Sequence, residues 1–304
     1  MTPNLDDRGH GVVDSRLAQS EELVAHYEQR RYAEGWALYR EHADASPSLP
    51  ASVHYYGARC ARALRNYHGA RQALSLAEVA GPTGALLGQI RFTHALIVQE
   101  IGEYMTAVTA WERTIQGMHL YPELAPVMEG PAWNNLGLTQ RMLKRYDDAL
   151  DAYRQAAALM EGEGPAEHLR ICLLNIAWLH CIRGDVVSAS VALEQAEPLI
   201  HSSAARWKHQ VGVAFLSLVQ KDREGALGLC NAVAGAVEAL PEDRSHACWL
   251  SGKIALEIGQ FDMADSLARQ AISHGEKARD VNRCLHDAAD LLRQVNLART
   301  KQGA

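Results

Sequence analysis

The chain has 304 residues, a formal net charge of −6, and 48% hydrophobic against 22% charged residues. This is the composition of a folded chain of one or two domains, not of a disordered one. It excludes a chain-wide basic footprint for nucleic acid, and no apolar run reaches the ~18 residues of a membrane-spanning helix. Six scattered cysteines without a Cys-x-x-Cys pair read as reduced thiols in a cytoplasmic protein. Abundant Ala and Leu with three Phe favour helices over a β-sandwich.

Residues 1–15 carry charge and no apolar stretch, so they read as a disordered N-terminal segment and not as a secretory signal. From residue 16 one pattern recurs. Tyr32, Gly35 and Tyr39 form its first copy. Gly57-Ala58 precede Tyr67, Ala70, Leu74 and Ala77, and Ala95 precedes Tyr104, Ala107 and Trp111. The fullest copy is Trp133-Asn134-Asn135-Leu136-Gly137, followed by Tyr146, Ala149, Tyr153 and Ala156. Ile176-Ala177 precede Val186, Ala189, Leu193 and Ala196; Ala214 precedes Arg223 and Ala226; Gly252 precedes Phe261, Ala264 and Ala271.

Each copy reads as a helix hairpin. A small residue in the first helix admits the second, an aromatic opens the second, and alanines form a thin stripe between them. The seven opening residues, at 32, 67, 104, 146, 186, 223 and 261, are 35 to 42 residues apart. Gly81-Pro82, Gly130-Pro131 and residues 161–165 read as loops between copies. After the array, Val281, Leu285, Ala288, Ala289, Leu292 and Val295 fall at helical spacing, with Lys277, Arg279, Arg283 and Arg293 on the other face. Such a half-apolar helix suits a cap. The expected organisation is a repeat array over 16–276 and a capping helix and tail over 277–304.

The Trp, Leu-Gly, Tyr, Ala, Tyr, Ala register of residues 133–156 resembles the tetratricopeptide repeat (TPR) consensus. The spacings exceed its 34-residue minimum, so this is a long-repeat variety. The resemblance implies an all-α, right-handed superhelix of about seven helix pairs plus a C-terminal capping helix. It also implies a concave groove lined by the first helix of each pair. The array is similar to bacterial peptide-sensing TPR regulators, here without their N-terminal output domain, since about 15 residues precede the first copy.

No catalytic or phosphate-binding motif is present, so no enzymatic activity and no cofactor are expected. His168 and Cys172 share a helix face, but two ligands do not make a metal site. The groove positions that the resemblance assigns include Tyr55, Arg59, Arg62, Phe92, Asn134, Arg141, Asn175, Trp178, Phe215, Trp249 and Lys253. They mix aromatic with basic and amide groups, as a surface for an extended partner does. The alternative is that tight repeats bury some of these aromatics. Asn135 and Asn175 occupy the repeat position from which an amide can bond a peptide group. The carboxylate clamp of chaperone-binding TPR modules is matched only at Asn175 and Lys208.

The expected function is therefore a non-enzymatic cytoplasmic scaffold. It would bind a protein or extended peptide in its groove, with an acidic ligand or a C-terminal carboxylate favoured by the basic positions. No direct nucleic-acid or membrane binding is expected, and a homodimer is left open. The alternative is a solo regulatory sensor that changes shape on binding a signalling peptide.

Overall fold

A computed structural model describes residues 19–46, 48–120, 123–163, 165–278 and 281–302. The expected disordered segment 1–15, together with Arg279, lies outside the described residues, as do the side chains of Val281 and Arg283. Among the described residues all regular structure is helical. The chain divides into two compact units, Met1–Ala125 and Pro126–Ala304.

The first unit pairs helical residues 19–28 (α1) with α2 (Tyr32–Ala45), α3 (Ala51–Ala63) with α4 (Tyr67–Val79), and α5 (Gly84–Ile101) with α6 (Tyr104–Gly117). A 3₁₀ turn at Met118–Leu120 follows. In the second unit α7 (Ala125–Met142) meets α8 (Tyr146–Glu163), and α9 (Ala166–Arg183) meets α10 (Val186–Ala196). Then α11 (Ser203–Val219) pairs with α12 (Arg223–Gly235), and α13 (Pro241–Glu257) with α14 (Phe261–Gly275). The last helix is α15 (Val281–Gln302).

Every second helix begins at the residue that the sequence register marks, from Tyr32 to Phe261. Its entry is fixed by backbone geometry two residues earlier. Arg30, Arg65, Gly102, Lys144, Gly184, Lys221 and Gly259 all have positive φ, between 58° and 92°. Glycine adopts this left-handed turn freely. The four basic residues adopt it at a cost of about 1 kcal/mol or more each. In three pairs a side chain then caps the second helix: Asn66, Asp185 and Asp222 accept the N–H of Gly69, Ser188 and Gly225 at 3.0, 3.1 and 2.9 Å. Each cap contributes about 1 kcal/mol.

The core is the expected thin stripe. Ala58, Ala95 and Ala214 of the first helices are fully buried, as are Ala70, Ala107, Ala149, Ala189, Ala226 and Ala264 of the second helices. A Cβ at Gly137 would lie 2.7 Å from the Tyr153 ring and 3.0 Å from the Ala149 carbonyl oxygen. At this contact only glycine lets α7 approach α8 so closely.

Three loop and cap expectations need correction. Gly130-Pro131 is not a loop but lies inside α7. Gly130 is there for contact, because a Cβ would meet the Met160 methyl at 2.3 Å. Pro131 removes one helical donor, and the Asn135 amide donates back to its carbonyl at 2.9 Å. The expected loop over 161–165 is shorter, since α8 runs to Glu163 and Pro165 already caps α9. In α15 the buried stripe is Cys284, Ala288, Leu291 and Val295, while Ala289 is exposed. The neighbours α13 and α14 cover a single narrow stripe, and Ala289 falls one residue off it.

Candidate functional site

In the first unit the expected groove residues engage one another. Tyr55 is buried and hydrogen-bonded to Thr93, and burial pushes its phenol up. The Arg59 guanidinium lies 3.8 Å from the Tyr27 ring centroid and 5.4 Å from those of Tyr55 and Tyr56. Three tyrosines thus form a cage whose cation is the chain's own. Arg62 grips Glu100 with two guanidinium nitrogens, Nε at 2.9 Å and Nη2 closer. Phe92 packs edge-on against Trp111 at 5.0 Å, and the Trp111 indole N–H donates to Gln99 Oε1 at 2.9 Å.

In the second unit Trp178 is the hub. It stacks on Trp249 at 5.8 Å and 24°, and meets Phe215 at 4.8 Å and His246 at 5.0 Å edge-on. Arg141 lies 5.9 Å from the Trp178 ring centroid, and Lys253 lies 4.9 Å from that of Trp249. Trp178, Phe215 and Arg141 are buried in the free chain, whereas Trp249 and Lys253 are half-buried. The aromatics of this groove are thus largely packed on each other.

These five residues nevertheless line a cavity of about 580 Å³, within the usual range for ligand pockets. Its walls are the ends of first helices and the turns after them. Lys144, Lys221 and Arg223 add positive charge, and Glu257, Asp287 and Asp290 add negative charge. The sequence reading missed these six. The two lysines were legible as left-handed turn positions of the register; the two aspartates needed the placement of α15. Among the described residues Lys144, Lys221 and Lys253 form no ion pair, whereas Arg223 pairs with Glu257 at 3.1 Å.

The electrostatics of the acidic edge are mixed. Burial works against the Asp290 carboxylate. Hydrogen bonds from Arg293 and Gln294, and the positive charges of Arg293 and Lys144, hold it below its ordinary range all the same. Asp287 Oδ2 lies 4.0 Å from His246 Nε2.

The two expected groove asparagines meet each other: the Asn175 amide donates to Asn134 Oδ1 at 2.8 Å. Cys172, which the sequence placed beside His168, also approaches Asn134 Oδ1, at 3.7 Å, and burial pushes its thiol up to about 12. Asn175 borders a smaller cavity of about 160 Å³, lined also by His246, that shares Trp178 with the larger one. Among the described residues no group of three His, Cys, Asp or Glu side chains is placed to hold a metal ion.

Helix hairpins in series, each entered through a left-handed turn and sealed by an alanine stripe, define a helical-repeat solenoid. Residues 129–200 match the tetratricopeptide repeat family, and the chain as a whole shares the fold of solved tetratricopeptide-repeat structures. Its fold is similar to that of a tetratricopeptide repeat protein from Parabacteroides merdae, 17% identical, over 91% of this chain and 99% of that one, with a TM-score of 0.65. NprR in complex with its cognate peptide NprX is 11% identical over 90% of this chain and 83% of that one, with a TM-score of 0.62. A Rap protein complexed with competence and sporulation factor is 14% identical over 93% and 74%, with a TM-score of 0.51. At these identities the likeness is one of fold. No curated protein matches the sequence.

Proposed function

We propose that this is a non-enzymatic, cytoplasmic peptide- or protein-binding scaffold whose ligand enters the groove of the second unit. The observation that carries this reading is the cavity of about 580 Å³ over Trp178, Phe215 and Trp249, walled by Arg141 and Lys253. Aromatic area supplies binding energy at low entropic cost, and basic groups satisfy carbonyls or carboxylates of an extended chain. Asn134 and Asn175 brace the wall between α7 and α9. Tyr55, Arg59, Arg62 and Phe92 enter the proposal as a separate contact surface of the first unit, which a ligand would use by displacing their internal partners.

The test is a peptide selected from a random display library against the full chain. Its affinity for Lys253→Ala and Trp249→Ala, both at half-buried positions, should fall at least about ten-fold while melting stays within a few degrees. Losses under about two-fold for both would place the interface elsewhere. A second reading, a regulatory sensor, draws on the fold shared with NprR, which was solved with its cognate peptide. A change in radius of gyration on adding the selected peptide would favour the sensor over a passive scaffold.

A further inference from the structure

The second-unit cavity has two walls of opposite sign over one aromatic floor. The positive wall comes from Arg141 and from Lys144 and Lys221, the turn residues after α7 and α11. Both lysines hold left-handed backbone, with φ of 60° and 68°, at a register position where the intervening and following pairs have Gly184 and Gly259. The negative wall comes from Asp287 and Asp290, three residues apart on α15. The walls sense each other, because the Lys144 charge reaches Asp290.

A cavity so built discriminates by charge arrangement. A ligand that is acidic throughout meets Asp287 and Asp290 with like charge, and one that is basic throughout meets the lysines. A neutral apolar ligand would strip water from both walls and give nothing back. We infer that the cavity selects a peptide segment of mixed charge, with an apolar residue over Trp249, acidic residues against Lys144 and Lys221, and basic residues against Asp287 and Asp290. This rests on the groove reading above and refines it: the ligand is not simply acidic, and its chain direction is set. The acidic edge of α15 thereby becomes a specificity element.

Four capped heptapeptides sharing a central Gly-Leu-Gly test this with the full chain: glutamates on both sides, lysines on both sides, and the two mixed orders. All lack tryptophan, so binding is read from the protein's indole fluorescence. One mixed peptide should bind at least about ten-fold more tightly than either single-sign peptide, and more tightly than the reversed order. The double substitution Asp287→Asn and Asp290→Asn should shrink that preference below about three-fold and improve binding of the all-glutamate peptide. If the all-glutamate and mixed peptides bind wild type within about two-fold of each other, the inference fails and the groove reading stands. If none of the four binds at millimolar concentration, both fail.

Discussion

The two units read almost alike as sequence and differ in what they do with the same side-chain types. Both set arginine or lysine against aromatic rings on their first helices. In the first unit the cation is already caged, Arg59 among three tyrosines, and Arg62 is committed to Glu100. In the second unit Lys253 and Arg141 sit at the edge of a cavity, and Lys144 and Lys221 stand beside them without an ion pair among the described residues. A basic–aromatic pattern thus specifies a contact without saying whether the partner is internal. The structure separates a basic–aromatic cluster satisfied from within from one that borders a cavity.

The comparison assumes that the units share one packing rule. Replacing the tight glycines tests this most severely. Gly57 and Gly137 each leave no room for a Cβ, the nearest ring atoms being Tyr39 at 2.4 Å and Tyr153 at 2.7 Å. Leucine at either position should destabilise by about 2–4 kcal/mol through overpacking, measured by denaturant midpoint. A large loss at one and none at the other would show that the pairs are not equivalent.

The left-handed turns sharpen the contrast. Arg65→Gly and Lys144→Gly relieve similar strain, φ 59° and 60°. Each should stabilise by about 0.5–1 kcal/mol, the relief exceeding the extra freedom glycine gives the unfolded chain. Only Lys144→Gly should weaken binding of a groove peptide. Equal weakening by both would assign the first unit a direct part in recognition.

The smallest effect concerns acid. Burial lowers the imidazoles of His54 and His94 in the first unit and of His180 and His274 in the second, although Asp185 partly offsets it at His180. A histidine depressed in the fold contributes stability above its unfolded value of about 6.5 and loses it as pH falls below that value. Melting should therefore drop by a few degrees between pH 7 and 5.5. Gln at His54 and His94 should flatten the profile for the first unit only, as followed by hydrogen exchange. A flat wild-type profile would contradict the burial argument.

Most of the fold was legible because hairpin packing leaves a mark at fixed offsets. Even Tyr32 and Arg223, which open the copies with the weakest patterns, begin their helices on register. The misreadings share a cause. Gly130-Pro131 has the local signature of a turn, but its glycine answers to Met160 of another helix, which no local pattern encodes. The site was half legible. Trp178, Phe215, Trp249, Arg141 and Lys253 came from register alone and do line one cavity. That Tyr55 and Arg59 would satisfy each other depended on Tyr27 of α1, a distant residue in another helix. The acidic wall was hidden because α15 looked like a cap, and caps are read for their apolar face.

The six cysteines, all buried and none disulfide-bonded, give the molecule a built-in set of opening reporters. Burial raises the thiols to about 11 at Cys60 and Cys230 and to about 12 at Cys172 and Cys181, so alkylating reagents meet almost no thiolate in the closed chain. Alkylation then proceeds only through transient unsealing of the hairpin that holds each sulfur, and its rate measures that local equilibrium. Residues 61–171 contain no cysteine. Peptide mapping of a timed reaction therefore reports the second, fifth, sixth and seventh hairpins and the last helix, and leaves the stretch between Cys60 and Cys172 chemically silent. A threonine-to-cysteine replacement at the buried Thr114 of α6 would extend the series into it.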